Sequence, residues 1–378
     1  MSRPSRAMVD LGALRRNYLQ ARRLHGGRAL AVLKANAYGH GAVACARALQ
    51  PLADGFAVAF VDEAIALREA GIQLPILVLE GCFCTGELET ARALRCWVAV
   101  HHEEQLLMLE SAAAHDTPDT PPLQVWLKLD SGMRRAGFPL HHARAAHARL
   151  SACRSVGGIT LMTHFARADE PDQPTTLLQT ARFDAATAGL AGARSLCNSA
   201  GLLAWPAARR DWGRPGILLY GADPVPGGGH GLEPVMTLES RVFATRMLQP
   251  GDALGYGGTF VADAPCRVGL VALGYADGYP RTLATDTPVA IDGHRSRVIG
   301  RVSMDMLTVD LGLAPSAGIG SRVELWGKAV PVNTVAESAG TIAYELLCNV
   351  KRVPLEYVDD ASGPAGHGTE RAARRQAA

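Results

Sequence analysis

The chain has 378 residues, of which 48% are hydrophobic and 20% charged, and its formal net charge is +2. This length holds two domains or one large barrel with an appendage, and the near-balanced charge argues against a nucleic-acid partner or an anionic membrane surface. The sequence has no apolar run long enough for a membrane span and no signal-like start, so we expect a cytoplasmic protein with reduced cysteines.

The first two-thirds of the chain alternates short apolar runs with helical patterns. A typical helical pattern runs from Asp62 to Ala70, with acids in its first turn and Gly71 at its end. Eight β-then-α units predict an α/β fold with an N-terminal (β/α)8 TIM-like barrel. A doubly wound sheet, which uses the same alternation with fewer strands, is the alternative. The eight predicted strands are Leu30–Leu33, Phe56–Phe60, Ile76–Leu79, Trp97–Val100, Val125–Leu129, Ile159–Met162, Ser195–Cys197 and Ile217–Tyr220.

The composition changes at a glycine- and proline-rich linker, Pro224–Gly231, after which helical periodicity mostly disappears. Two helix-like pieces, Val332–Ala339 and Ala343–Cys348, interrupt what remains. We therefore predict a barrel at 1–231, a C-terminal mainly β domain at 232–361 and a disordered tail at 362–378. The predicted strands of the β domain are Val235–Met247, Arg267–Leu273, Pro288–Ile291, Val298–Ile299, Met306–Val309 and Arg322–Leu325.

The cysteines and histidines do not indicate a metal site. Cys82 and Cys84 form the closest cysteine pair, and they have no second pair and no nearby histidine. The histidine doublets at 101–102 and 141–142 lack zinc-type spacing to another cluster. We expect no metal.

Lys34 directly follows the first predicted strand, at the end where barrels build their active sites. Partial burial lowers the pKa of an amine, which favours its attack on an aldehyde, although a lysine whose ammonium simply reaches solvent fits the position equally well. The run continues as Ala35-Asn36-Ala37-Tyr38-Gly39-His40-Gly41. Glycines in a turn between strand and helix let backbone N–H groups approach an anion, and the Tyr38 hydroxyl can reach the same phosphate.

Other polar residues lie next to the ends of predicted strands. His164 ends the sixth strand, Asn198-Ser199 follows the seventh, and Arg214-Pro215-Gly216 leads into the eighth. The loops after strands 7 and 8 form a recurrent phosphate site in barrels. In the β domain, Tyr256 lies between glycines in a turn, where its hydroxyl is free to point outward.

The segment Lys34–Gly41 resembles the pyridoxal-phosphate attachment signature of the alanine racemase family. The resemblance extends from about Val9 to Tyr357, with several motifs in the family's order. It implies that Lys34 carries pyridoxal 5′-phosphate and that the chain interconverts L-alanine and D-alanine. It also implies a homodimer with shared active sites and a role in D-alanine biosynthesis for peptidoglycan, although breakdown of L-alanine is equally open.

The resemblance assigns most of the cofactor site. Arg214 matches an arginine that hydrogen-bonds the pyridine nitrogen. Because an arginine has a pKa above about 12, it donates without protonating the ring and makes the ring a shallower electron sink. His164 matches a histidine that stacks beside the ring and links Arg214 to the partner's tyrosine. The residues that would hold the phosphate are Tyr38, Ser199, Tyr344 and the backbone of Gly216 and Ile217, with Asn198 in support.

For the substrate, Arg135 aligns with the family arginine that contacts the carboxylate. Arg134 stands where the family often has glycine, so which of the two arginines faces the site stays open. Lys128 aligns with a lysine that is commonly carbamylated and that orients this arginine.

The β domain would complete the site. By resemblance, Tyr256 is a second catalytic base that reaches the other subunit, so that Lys34 acts on the D-substrate hydrogen and Tyr256 on the L-substrate hydrogen. Tyr275 matches a tyrosine on the substrate access route. Met304 and Asp305 match a pair at the substrate site, with Ser303 where the family often has cysteine.

Three alternatives stay open. A broad-specificity racemase differs in pocket volume, although the bulk of Tyr275 and Tyr344 favours a side chain no larger than methyl. A non-catalytic pyridoxal-phosphate carrier shares the barrel and lysine but lacks the β domain. A barrel-type decarboxylase usually has a glutamate near the pyridine nitrogen and a cysteine in the β domain, where this chain has Arg214 and Tyr256.

Overall fold

A computed structural model describes residues 3–359. The tail predicted at 362–378 lies outside the described residues. Across the described part of the chain, no helix is both long and apolar enough to cross a bilayer. Nor do three or more His, Cys, Asp or Glu side chains within 3–359 form a group that could hold a metal ion.

The first part of the described chain contains ten strands and eight α-helices. The strands are β1 (Arg6–Asp10), β2 (Arg28–Val32), β3 (Gly55–Val58), β4 (Ile76–Val78), β5 (Trp97–Val100), β6 (Leu123–Asp130), β7 (Phe138–Pro139), β8 (Val156–Met162), β9 (Ala193–Ser195) and β10 (Trp212–Gly213). The helices are α1 (Leu11–His25), α2 (Ala42–Leu49), α3 (Val61–Glu69), α4 (Thr85–Ala93), α5 (Glu103–His115), α6 (Ala143–Ala152), α7 (Thr175–Thr187) and α8 (Ser199–Ala204).

Eight of these strands form a nearly closed parallel barrel in the order β10-β2-β3-β4-β5-β6-β8-β9. The gap between β9 and β10 is bridged just beyond the strand ends, where the Arg214 N–H donates to the Cys197 carbonyl at 3.0 Å. The barrel strands are rich in fully buried aliphatic and aromatic residues, as expected of parallel strands covered on both faces. The predicted (β/α)8 barrel is confirmed, and the doubly wound alternative is wrong.

The eighth barrel strand differs from the prediction. Ile217–Tyr220 is a 3-10 helix, with the Leu219 N–H bonded to the Gly216 carbonyl, and the barrel strand is Trp212–Gly213. All four residues of Ile217–Tyr220 are buried. A short apolar run that is buried on every side has no periodicity that separates a strand from a helical turn, and this explains the wrong prediction.

The second part of the chain is mainly β, as predicted. Its strands are β11 (Met236–Leu248), β12 (Ala253–Leu254), β13 (Phe260–Val261), β14 (Cys266–Val271), β15 (Pro288–Ile291), β16 (His294–Arg297), β17 (Leu307–Asp310), β18 (Arg322–Trp326) and β19 (Leu355–Val358), with α9 (Val332–Ser338) and α10 (Ala343–Cys348). Apart from β12 and β13, which pair with each other, these strands join β1 in a sheet of order β16-β15-β18-β11-β1-β19. β14 pairs with β11, and β17 pairs with β14. The predicted strand Val298–Ile299 is wrong, because Val298 makes one isolated bridge, to Val309.

The two parts of the chain are joined through β1. This strand pairs antiparallel with β11 and parallel with β19, so the segment predicted to form the barrel gives its first strand to the second sheet. The chain then enters the barrel through α1, which Asp10 caps by accepting from the Ala13 N–H at 2.8 Å. The arrangement brings α10 and β19 against the turn that follows β2, which is where Lys34 lies.

Candidate active site

Lys34 begins a left-handed turn directly after β2. Ala35–Ala37 have φ of 52–55° and ψ of 47–50°, and Tyr38 has φ of 51°. Residues with a Cβ lose about 1–2 kcal/mol each in this conformation, so four in succession persist only where neighbouring groups hold them. The turn leaves Lys34 half-buried and Tyr38 buried.

The glycines of this turn do not serve an anion, and the prediction that they do is wrong. The Gly39 N–H donates to the Ala35 carbonyl and the Gly41 N–H to the Asn36 carbonyl, both at 3.0 Å, so both donors are used within the turn. A Cβ on Gly39 would collide with the Leu347 carbonyl of α10, and one on Gly41 with a side chain of β19. These glycines therefore permit close packing of the turn against the second part of the chain.

The side chains predicted to hold a phosphate meet beside this turn. The Ser199 hydroxyl accepts from the Gly216 N–H at 2.8 Å, and a Cβ on Gly216 would come within 2.5 Å of the Tyr38 hydroxyl. The Tyr344 ring lies 6.0 Å from that of Tyr38, centroid to centroid. Asn198 caps α8 by accepting from the Gly201 N–H at 2.9 Å, which fixes where Ser199 begins the helix. Ile217 is buried next to Gly216.

Arg214 lies at the same end of the barrel, where it is 4% exposed. Its guanidinium donates to the Thr163 carbonyl at 2.6 Å, to the Leu196 carbonyl at 3.2 Å and to the Ser195 hydroxyl. Burial lowers its pKa to about 10, which leaves it charged at neutral pH. The guanidinium is thus a fixed positive group whose orientation the barrel sets.

His164 is a neutral imidazole in this setting. Burial lowers its pKa well below the usual value, and the charges of Arg214, Arg135 and Lys128 lower it further. Burial also lowers the pKa of Lys128. The Glu80 carboxylate, 3.9 Å from the Lys128 amine, opposes this shift by raising the pKa. The positive charges at this end of the barrel therefore act on one another through a poorly solvated space.

The two adjacent arginines differ in their electrostatic surroundings. The charge of Arg135 lowers the pKa of both Lys128 and His164. Arg134 has a left-handed backbone, with φ of 58°, and its N–H donates to the Asp130 carboxylate at 3.0 Å. Both side chains are exposed. The electrostatic coupling favours Arg135 as the arginine of the site.

This arrangement fits a phosphorylated aldehyde attached to Lys34. Lys34, Lys128, Arg135 and Arg214 bring four positive charges to this end of the barrel, against the carboxylates of Glu80 and Glu63, and so complement an anion. The Tyr38 and Ser199 hydroxyls converge on Gly216, where a Cβ would not fit, so residue 216 places no side chain between them.

Apart from Tyr344, the site residues predicted in the β domain are exposed. Tyr256 is 65% exposed on a turn between glycines, and Met304 is 56% exposed beside Asp305. The Tyr275 N–H donates to the Ser303 carbonyl at 3.0 Å, which places Tyr275 next to Met304. Within residues 3–359, no hydrogen bond, ion pair or ring contact joins these side chains to Lys34 or Arg214.

Family models match both parts of the chain. Residues 9–224 match the model described as "Alanine racemase, N-terminal domain", and residues 235–357 match "Alanine racemase, C-terminal domain". The chain belongs to the alanine racemase family. It is 62% identical over 355 residues to an alanine racemase of an Azoarcus species, covering 94% of this chain and 99% of that one.

Solved structures of the family have the same fold as this chain. The biosynthetic alanine racemase from Pseudomonas aeruginosa has a TM-score of 0.90 and 46% identity, covering 94% of this chain and 99% of that one. The alanine racemase from Bartonella henselae, with covalently bound pyridoxal phosphate, has a TM-score of 0.84 and 27% identity, covering 94% and 99%.

Three residues near the site are absent from the sequence prediction. Glu80 lies two residues beyond β4, and an acid at the carboxyl end of a barrel strand is a signal that could have identified it. Tyr220, which packs on Tyr38, lies in the apolar run Ile217–Tyr220, where the pattern predicts a strand and gives no sign of a contact with Tyr38. His40 belongs to the signature segment, but its contacts depend on the left-handed turn, which no pattern indicates.

Proposed function

We propose that this chain interconverts L-alanine and D-alanine with pyridoxal 5′-phosphate attached to Lys34, in a two-base reaction whose second base is Tyr256 of another subunit. Membership of the alanine racemase family supports the reaction, the isomerase class and the cofactor. The observation that carries the site assignment is the convergence of Tyr38, Ser199 and Gly216 beside Lys34.

The cofactor, when bound, stabilises the charge left on the substrate α-carbon after its proton is removed. We assign its phosphate to Tyr38, Tyr344, Ser199 and the N–H groups of Gly216 and Ile217. The Gly216 N–H, which donates to the Ser199 hydroxyl, would turn to the phosphate when the cofactor binds. Arg214 would donate to the pyridine nitrogen. Its Nη1 and Nη2 groups bond to oxygens of Ser195, Thr163 and Leu196, so the guanidinium is held in place and stays a donor rather than a proton source. The neutral His164 would lie beside the ring.

The substrate carboxylate is assigned to Arg135 and to the backbone N–H of Met304 from the other subunit. Lys128 would orient Arg135, and the Glu80 carboxylate would partly neutralise the charge of Lys128. Tyr275 and Asp305 would lie along the access route. A substrate carboxylate that is bound by both of these groups keeps the α-hydrogen directed at a base on one face or the other.

We assign the two proton transfers to opposite faces of the substrate. The Lys34 amine would exchange the hydrogen of D-alanine, and the Tyr256 hydroxyl that of L-alanine. The exposure of Tyr256 and its separation from Lys34 within one chain support a site shared between two subunits. The partner's β domain would also cover the barrel mouth and exclude water. We therefore propose a homodimer.

Three broader assignments accompany this function. We propose that the barrel and the β domain divide at residues 231/232, since the two family matches lie on either side of that point. We place the enzyme in the cytoplasm, which accords with eight cysteines that are all unpaired. The role we propose is a supply of D-alanine as a peptidoglycan precursor.

Mixing two inactive variants tests the shared site. Lys34→Ala and Tyr256→Phe each remove one base, and a hybrid dimer holds one intact site and one doubly defective site. With random subunit exchange, half of the dimers are hybrids and about a quarter of wild-type activity returns. Each variant mixed with itself is the control. An inactive mixture, with exchange demonstrated by mass spectrometry, would contradict the shared site.

Chiral chromatography of products from a panel of L-amino acids tests the reaction itself. We expect racemisation of alanine well above that of larger substrates. Comparable rates with serine, lysine and arginine would indicate a broad-specificity racemase. Bound cofactor without racemisation of any amino acid would indicate a carrier, a reading that the C-terminal family match disfavours.

A further inference from the structure

The ring of His40 is packed beneath the left-handed turn that begins at Lys34. It is completely buried, and its Nδ1 lies 3.0 Å from the Ala37 carbonyl oxygen and 2.9 Å from the Tyr38 carbonyl oxygen. Both neighbours are acceptors, so Nδ1 must carry the hydrogen. His40 therefore donates to two successive carbonyls of the turn.

Tyr220 joins this ring to the strand before the turn. Its ring stacks on His40, with centroids 4.5 Å apart, and on Tyr38, with centroids 4.9 Å apart. Its hydroxyl donates to the carbonyl of Val32, the last residue of β2, at 2.8 Å. The chain is thus held on both sides of Lys34, before it by Tyr220 and after it by His40.

We propose that His40 is a positioning residue which, together with Tyr220, holds the left-handed turn and so sets the positions of the Lys34 amine and the Tyr38 hydroxyl. The inference rests on the proposed function of Lys34 and Tyr38. Neither His40 nor Tyr220 has been given a role in the reaction above, and His40 acts through the backbone.

A set of neighbouring bonds shows why the turn needs this support. The Ala35 N–H donates to the Glu63 carboxylate at 2.6 Å, and the Ala42 N–H to the Asn36 side chain at 2.8 Å. These bonds hold the start of the turn and its exit into α2. At its end, the Ala37 carbonyl accepts from the His40 backbone N–H at 3.0 Å as well as from the ring, whereas the Tyr38 carbonyl relies on the ring Nδ1–H at 2.9 Å. Without that donor, the last residues of the turn lose the side chain that holds them in an unfavourable backbone conformation.

Two substitutions of His40 distinguish the role of its hydrogen-bond donor from the role of its ring. The side-chain nitrogen of asparagine occupies nearly the position of Nδ1, so His40→Asn keeps the donor and loses the ring. His40→Phe keeps a ring on Tyr220 and loses the donor. If the bonds to the carbonyls set the turn, His40→Asn retains function and His40→Phe does not. His115→Asn is a control, because exposed His115 also bonds a backbone carbonyl through Nδ1, at the end of α5.

The experiment compares the holoenzymes by cofactor affinity, by the rate at which borohydride fixes the cofactor to the protein, and by kcat and KM for alanine. For His40→Phe we expect a cofactor Kd raised about tenfold or more, slower fixation and a kcat lowered about tenfold or more, with KM changed less than about twofold. His40→Asn and His115→Asn should stay within about threefold of wild type in each quantity.

Tyr220→Phe provides a second, milder test, because it removes one hydroxyl and keeps the stacked ring. We expect the same pattern of change, smaller in size. Should His40→Phe fail to fold, His40→Asn and Tyr220→Phe decide the matter. Cofactor affinity and kcat unchanged in Tyr220→Phe and in any folded His40→Phe would overturn the proposal, and so would an equal loss in His40→Phe and His40→Asn.

Peptide mapping of borohydride-reduced wild type distinguishes this inference from the proposed function. Cofactor on Lys34, with no effect of the His40 and Tyr220 substitutions, would defeat only the positioning role. Cofactor on a different lysine would defeat the proposed function itself, whatever the variants show.

Discussion

The Tyr38 hydroxyl lies against the backbone of Gly216, so close that a Cβ on Gly216 would come within 2.5 Å of it. Tyr38 cannot easily retreat, because its ring packs between Tyr220 and Tyr344. This contact joins the turn after the first barrel strand to the loop after the last one, and it defines the corner assigned to the phosphate.

Gly216→Ala should therefore displace the Tyr38 hydroxyl and weaken cofactor binding. Overpacking of this kind costs about 1–3 kcal/mol, which corresponds to about a tenfold or greater rise in the cofactor Kd. Fluorescence titration of cofactor-free protein measures it. Gly86→Ala, at an exposed helical glycine of α4 where a Cβ would meet nothing closer than 4.0 Å, is the control for general loss of affinity. An unchanged Kd in Gly216→Ala would contradict the close contact.

Arg214→Met should destabilise the protein, because it leaves the Thr163 and Leu196 carbonyls in a buried region without their donor. Leaving buried acceptors unsatisfied costs about 2 kcal/mol. Urea unfolding of the cofactor-free protein measures the change, and exposed Arg134→Met, expected within about 0.5 kcal/mol of wild type, is the control. Equal stabilities of the two variants would show that the Arg214 bonds contribute nothing.

Arg135→Ala and Arg134→Ala should separate the two adjacent arginines. Loss of a charge-assisted bond to a carboxylate costs about 1.5–3 kcal/mol, so we expect Arg135→Ala to raise KM for alanine about tenfold or more. Arg134→Ala should change KM by less than about threefold. Steady-state kinetics in both directions measures this, and a larger effect from Arg134 would reverse the assignment.

His40 should make the protein sensitive to acid. Burial lowers its pKa to about 4, and the groups around it, Cys45, Tyr38 and Tyr220, are neutral because burial raises their pKa values. Between about pH 6.5 and 4 the unfolded chain binds a proton at His40 that the folded chain does not, so stability falls as the pH falls through this range.

At pH 5, relative to pH 8, this proton costs wild type about 2 kcal/mol, a loss that His40→Asn does not suffer. Urea unfolding of the two cofactor-free proteins at both pH values measures the difference. His25 and His164, whose pKa values burial also lowers, are present in both proteins, so their contributions cancel in the comparison. Parallel losses in wild type and His40→Asn would show that His40 does not stay neutral.

The alternation of strands and helices was sufficient to predict the barrel, because hydrophobic periodicity is a local property. Short strands separated by glycine-containing turns were sufficient to predict the β domain for the same reason. Lys34 and Ser199, which follow predicted strands, were proposed as site residues by the same reasoning, since parallel strands bring their carboxyl ends to one face. Arg214, which precedes the predicted eighth strand, was assigned by resemblance. Local pattern failed at Ile217–Tyr220, where complete burial removes periodicity.

What the sequence by itself determined is the family, and the order of its motifs is the basis on which the lysine, the arginines and the tyrosines of the proposed site are assigned. Tertiary structure decided how they are held. The left-handed turn at Ala35–Tyr38 is locally unfavourable. It persists because three side chains outside it, those of His40, Glu63 and Tyr220, contact the turn or the strand before it. The same holds for Gly39, whose lack of a side chain matters because α10, some 300 residues later, packs against it.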